Sequence, residues 1–285
     1  MRTETFQTPG PVALDIRLGA GEIRLETGET AETTVELEAL RDNEASASAV
    51  QEARVELRER SDGLEIVADV RDRSRFSRGA EVLVRINCPA ESSAHARTGS
   101  ADVEGRGRFG GIEIETGSGD VAFQEVARDV KVNAASGDVQ ISTVGGEARL
   151  NTASGDIQVA TVAGDAKVNS ASGDIQLGEV GGRLEANSAS GDVEVREARS
   201  GVSVNSASGD QMIGSVIGGS VSLKSASGDL RVGIKEGSKL FVDAKSRSGE
   251  VSSELEVSEV APEGDAPLVE LRASTMSGDI HIVRA

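Results

Sequence analysis

The sequence contains no tryptophan and no tyrosine, and aromatic residues make up only 2% of it. Stacking of rings on bases or sugars therefore has almost nothing to work with. There is a single cysteine, Cys88, so no disulfide can form within the chain, which mildly favours a reducing compartment. Basic residues are in deficit. Thirty Lys+Arg against 48 Asp+Glu leave a net charge of −18, which opposes general binding to nucleic acid or anionic lipid. No apolar run reaches the roughly 18 residues of a membrane helix, and Met1-Arg2-Thr3-Glu4-Thr5-Phe6 has no apolar leader core. The expectation is a cytoplasmic chain with no direct membrane insertion.

What the sequence does have is a phrase that returns on a fixed beat. Ser-Gly-Asp ends at Asp120, Asp138, Asp156, Asp174, Asp192 and Asp210, each 18 residues after the last, and Asp102 keeps the beat one unit earlier. The interval then stretches, to Asp229, Glu250 and Asp279. A period of about 20 residues is the signature of a solenoid. Each unit splits into two nine-residue halves with one grammar: Gly, an acid, apolar-polar-apolar, then polar and small residues. Period-two alternation predicts a short strand with one buried face per half, and the Gly-acid pair predicts the turn before it. Residues repeated at constant phase favour coils stacked in parallel over a meander of hairpins. In such a stack Asn133, Asn151, Asn169, Asn187 and Asn205 fall into one column and can hydrogen-bond as a ladder. The inward residues are small, among them Val139, Ile141, Ala148, Leu150, Ala166 and Val168, so the predicted core is a flattened tube about 10 Å thick.

Residues 12 to 39 alternate strongly and are read as three strands that start the structure and cap its N-terminal end. Residues 41 to 53 read as a loop or short helix, and strands resume at 53–58, 64–70 and 82–87, stopped by Pro89. Residues 1–95 are thus expected to form an N-terminal β cap continuous with a repeat solenoid over 96–285. Residues 233–238 and 257–267 read as longer loops, with 268–273 and 280–283 closing the C-terminal end. One unit breaks the grammar: Asp210-Gln211-Met212-Ile213 is followed by an extra residue before Gly219. Strict register would bury Gln211, so a bulge or local kink is expected between Asp210 and Gly219, with Gln211 at least partly exposed and Met212 buried.

The alternating N-terminal strands, the Ser-Gly-Asp array and the final Met276-Ser277-Gly278-Asp279-Ile280-His281-Ile282 together resemble one bacterial family over nearly the whole chain. It is the β-strand-repeat family called "putative adhesin", or toastrack. The resemblance implies an all-β, right-handed parallel β-solenoid, no established enzymatic activity, and a link to bacterial cell-envelope stress systems.

Several stretches invite a functional reading. Gly105-Arg106-Gly107-Arg108-Phe109-Gly110 matches a dinucleotide string, but Gly111-Ile112-Glu113-Ile114-Glu115 alternates like a strand where a helix is needed, so it reads as a solenoid turn. The column Asp120, Asp138, Asp156, Asp174, Asp192 and Asp210 invites cations, since carboxylates about 4.8 Å apart repel by roughly 0.9 kcal/mol per neighbour in water. The calcium-roll pattern has a second Gly that is missing here, and turn capping is the preferred reading. Arg71, Arg73, Arg75, Phe76 and Arg78 form a basic loop in an acidic protein, either a solvated connection or a contact for an acidic partner. His95 and His281 sit in no metal or nucleophile motif. No catalytic residue, cofactor or committed metal site is expected. The reading is a non-enzymatic scaffold or adaptor with an unidentified protein partner. A surface adhesin-like structural protein is the alternative, and a calcium-responsive module a weaker one.

Overall fold

Val12, Leu14, Ile16 and Leu18 alternate with Ala13, Asp15 and Arg17, and the strand that carries them buries the first set and turns the second outward. The same rule builds nearly every element. The computed structural model describes residues 1–61, 63–70, 79–255 and 267–285. It divides into two units, Met1–Gly145 and Gly146–Ala285, each a parallel β-solenoid.

The first unit comprises β1 (Arg2–Gln7), β2 (Val12–Gly28), β3 (Glu32–Ala39), α1 (Glu44–Glu52), β4 (Arg54–Arg60), β5 (Gly63–Val70) and β6 (Val82–Pro89). It continues with β7 (Ser93–Phe109), β8 (Ile112–Ser118), β9 (Val121–Val126), β10 (Val130–Ser136) and β11 (Val139–Val144). β2 turns a corner midway, so its first half pairs with β5 and its second half with β6. β7 lies parallel along β2's other side and then carries β8 and β9. Chain order and stacking order therefore differ. The coil formed by β5 and β6 lies outside the coil formed by β2, although it comes later in sequence. Residues 12–28 are accordingly not part of the cap, as alternation alone suggested. The cap is antiparallel: β3 on β6, β1 on β3 and β4 on β5. Closing a stack this way removes the open edge that would recruit other strands. α1 starts at Asn43, whose side chain accepts the Ser46 N–H at 2.7 Å.

The dinucleotide-like string ends β7 and leads into β8, with no helix after it. Gly105 lies under Phe123, where a Cβ would come 2.2 Å from the ring, and Phe123 packs edge-to-face on Phe109 at 5.3 Å. Gly107 has φ +88° at a bulge, because β7 shifts register on β9 between Gly105 and Arg108.

The second unit runs β12 (Ala148–Ser154), β13 (Ile157–Val162), β14 (Ala166–Ser172), β15 (Ile175–Val180), β16 (Leu184–Ser190), β17 (Val193–Ala198), β18 (Val202–Ser208) and β19 (Gln211–Val216). Then come β20 (Gly219–Ser227), β21 (Leu230–Ile234), β22 (Lys239–Ser246), β23 (Val251–Ser253), β24 (Leu268–Ser277) and β25 (Ile280–Arg284). Alternate strands pair in parallel at a constant offset of 18, as in Ala148↔Ala166↔Leu184↔Val202 and Ile157↔Ile175↔Val193↔Gln211. Stacking, not hairpins, is the arrangement. Side chains of the inward columns are almost wholly buried, including Leu150, Ile157, Val168 and Leu184 at 0–1% exposure.

Two expectations are corrected here. Strict register holds at the irregular unit: Gln211 pairs opposite Val193 and is buried at 1% exposure, while Met212 is 46% exposed. The expected irregularity is present, as a register shift of β19 on β21 between Ile213 and Val216, but it leaves Gln211 facing in and Met212 facing out. Val216 still faces Ala198, 18 residues back, whereas Val221 faces Val202, 19 back, so the slack sits in the corner around Gly219, φ +94°. Gln211 tolerates burial because its Nε2 donates to the Lys224 carbonyl at 2.8 Å. The C-terminal end is also not closed by the last strands. β24 pairs with both β20 and β22, and β25 with both β21 and β23, so the chain skips one slot, lays down β22 and β23 outside, and returns to fill the gap.

Candidate functional site

Most of the repeat's polar groups are occupied with one another. Within each unit the carboxylates of the Asp column accept, through Oδ1, the backbone N–H of the equivalent residue one coil on. Asp102 accepts from Asp120 and Asp120 from Asp138, both at 2.9 Å. Asp156 accepts from Asp174, Asp174 from Asp192, Asp192 from Asp210 and Asp210 from Asp229, all at 2.8 Å. Charged acceptors on amide donors offset the repulsion along the column without a cation. Among the described residues no group of three or more His, Cys, Asp or Glu side chains is placed to hold a metal ion. The Asn ladder forms as well: Asn169 donates to Asn151 at 2.7 Å, Asn187 to Asn169 at 2.9 Å and Asn205 to Asn187 at 3.0 Å. Asn133 lies at the equivalent position in β10, in the first unit. Arg71, Arg73, Arg75, Phe76 and Arg78 lie outside the described residues. His281 is engaged through Nδ1 with Ser252 Oγ at 2.7 Å. Cys88 is buried, and loss of solvation pushes its thiol up to about 11.

His95 is different. Parallel register sets it beside Asp15 of β2 on one side and Glu113 of β8 on the other, all on the outward face. Ala13, between Glu65 of β5 and Ser93 of β7, is too small to fill its place in the sheet surface. The result is a cleft of about 540 Å³ lined by Ala13, Asp15, Arg17, Arg60, Glu65 and His95, with Ser93 and Glu113 at its sides. Arg60 comes from the turn between β4 and β5 and holds Glu65 Oε1 at 2.6 Å. Arg17 holds Asp15 Oδ2 at 3.2 Å. Lys131 binds Glu113 at 2.7 Å and keeps that carboxyl below the usual carboxylate range, helped by the charges of His95 and Arg97.

Four atoms in this cleft are buried and make no hydrogen bond: Asp15 Oδ1, Arg17 Nε, Glu65 Oε2 and His95 Nε2. Only three other such side-chain atoms occur among the described residues, on Thr152, Gln211 and Ser225. Glu65 is the most enclosed, with a side chain 5% exposed; the Arg58 guanidinium stands 4.0 Å from the oxygen that makes no hydrogen bond. The His95 ring stands 3.8 Å from Asp15 Oδ1, too long for a hydrogen bond. Ser93 is close by in the sheet, yet His95 Nε2 receives nothing from it. The arrangement offers carboxylate acceptors, a guanidinium donor and an imidazole to an incoming polar group. Apart from His95, these residues carry no sequence signal. Asp15 and His95 are 80 residues apart and belong to coils that lack the repeat phrase.

The fold and the repeat match one family model over residues 12–215 and again over 183–283. The chain belongs to the Toastrack DUF4097 family. No curated protein matches the sequence. Among solved structures, a "putative adhesin" from Parabacteroides distasonis ATCC 8503 superposes with a TM-score of 0.51 at 11% identity, covering 98% of this chain and 96% of its own. A "putative lipid binding protein" from the same organism covers 99% and 96% at 14% identity, with a TM-score of 0.45. A "putative cell adhesion protein" from Clostridium sporogenes ATCC 15579 covers 100% and 99% at 10% identity, with a TM-score of 0.26. At these identities the first likeness concerns the fold alone. Among the described residues no helix is long and apolar enough to cross a membrane.

Proposed function

We propose that this toastrack protein is a non-enzymatic, adhesin-like interaction scaffold, and that it receives a polar segment of a partner protein in the cleft between Glu65, Asp15 and His95. One observation carries this reading. In a solenoid whose columns satisfy themselves, four buried polar atoms without hydrogen-bond partners converge on a single cleft. A buried polar group left unpaired costs about 1–3 kcal/mol, so a ligand that pairs several of them gains correspondingly. Asp15 Oδ1 and Glu65 Oε2 suit the N–H groups of a lysine, an arginine or a backbone amide, and Arg17 Nε suits a carbonyl. We propose further that such a partner belongs to a cell-envelope stress or regulatory complex, as the sequence's resemblance to this family suggests. The test is affinity capture from the native host followed by mass spectrometry, with wild type, Asp15→Asn/His95→Ala and Asp192→Asn as baits. A partner held by wild type and Asp192→Asn but lost with the cleft variant is expected. Equal capture by all three baits would overturn the reading.

A further inference from the structure

The two units finish their terminal coils differently. At the first unit's end, β1, β3 and β4 run antiparallel across the outer coil and cover its edges. At the second unit's end, β22 pairs with β24 and β23 with β25, and no described strand lies on their other sides. Burial shows the consequence. Val242 and Val251 occupy inward positions, opposite Leu271 and Ile280, which are 0% exposed, yet they are themselves 39% and 44% exposed. The end of the apolar core is open to solvent there. Phe241, on the outward face of the same edge, is 59% exposed, and Leu268 beside it 47%. An eight-residue edge strand with no described strand beside it, and with exposed apolar residues, is a site for strand addition.

We propose that a second copy of this chain covers this end, with β22 of the two copies paired antiparallel about Phe241. The sequence Lys239-Leu240-Phe241-Val242-Asp243 is built for that register. Antiparallel self-pairing centred on Phe241 sets the two Phe241 rings opposite each other. Lys239 of each copy then faces Asp243 of the other, making two ion pairs on the outward face. Leu240 faces Val242 across the join on the inward face, which joins the two cores. A register centred on Asp243 would instead oppose two carboxylates, and one centred on Val242 would oppose Lys239 to Lys245. Directly opposed like charges are destabilising in a sheet. The contact is isologous, because the same patch serves both copies, and it closes after two because the pairing uses the β22 edge of each copy.

The test is sedimentation equilibrium of the purified full chain over about 1–100 µM. A dimer of twice 29.4 kDa is expected to become the dominant species as concentration rises. Val242→Lys and Phe241→Glu should each weaken dimerisation at least tenfold while leaving the far-ultraviolet circular dichroism unchanged. Lys239→Asp alone and Asp243→Lys alone should weaken it, because each opposes two like charges. The double exchange Lys239→Asp/Asp243→Lys should restore it, which no merely structural effect of either substitution predicts. A chain that stays monomeric throughout, a dimer indifferent to Val242→Lys, or a double exchange that fails to restore the single variants would each overturn the proposal.

Discussion

Replacing Gly173 by alanine should break the stack at one coil, and the size of the effect can be worked from two separate causes. The first is conformational: Gly173 has φ +130°, a region L-residues adopt at a cost of about 1–3 kcal/mol. The second is contact. A Cβ at Gly173 would lie 2.3 Å from the Gly155 carbonyl oxygen in the coil beneath and 2.7 Å from its carbon. Neither atom belongs to a flexible side chain, so the coils must part locally by the better part of an ångström. That strains two hydrogen bonds between these coils, Gly155 N–H to the Ser172 carbonyl at 3.2 Å and Asp174 N–H to Asp156 Oδ1 at 2.8 Å. At about 1 kcal/mol for each bond weakened, the contact adds roughly 2 kcal/mol to the strain, for a total of about 3–5 kcal/mol. Gly237 isolates the first cause: its φ is +84°, and a Cβ there meets nothing within 4 Å. Gly237→Ala should therefore cost only the strain, about 1–2 kcal/mol. Urea unfolding followed by circular dichroism measures both, with midpoint and slope fitted for each transition, since a break within a solenoid can split its cooperativity. Equal losses for the two variants would show that inter-coil contact at the Ser-Gly-Asp turn is not what requires glycine.

The buried Gln211 and exposed Met212 reverse the ranking that a bulge turning Gln211 out would give: Gln211→Ala should cost about 2 kcal/mol or more, and Met212→Ala should fall within about 0.5 kcal/mol of wild type in urea titration. Gln211→Val should stay within about 1 kcal/mol, because it gives up the bond to Lys224 but also removes the unpaired Oε1. Cys88 should resist thiol reagents at pH 8 until the protein unfolds, because its folded pKa is raised from 9.0 to about 11. The sign follows: the stabilisation is full below pH 9 and is lost as pH rises through 11. It amounts to roughly 2–3 kcal/mol, and Cys88→Ala should remove that part of the pH dependence.

The repeat by itself determined the class of the fold, the 18-residue step, the inward columns and the ladder of Asn187 on Asn169. Identical residues at constant phase can meet only by stacking, and period two then settles which of them point inward. It also fixed the Asp column, though not its purpose: the hydrogen bond from Asp192 N–H to Asp174 Oδ1 depends on a turn geometry that composition does not contain. The orientation of Gln211 and Met212 is not legible in the sequence, because one extra residue can be absorbed in a strand or in a corner. The structure uses both: the corner at Gly219, where Gly accepts a positive φ, and a register shift of β19 on β21 between Ile213 and Val216, downstream of both side chains. The ends were decided wholly by tertiary structure. Nothing in the alternation of Val12–Leu18 or Leu268–Ala273 says that each pairs on both sides, with Leu64–Val70 and Lys239–Ala244 laid outside them. The cleft belongs to the same category. Asp15, Glu65 and His95 come from three strands whose adjacency no period encodes, and only their parallel register brings three ordinary surface residues to one place and leaves their polar atoms without partners.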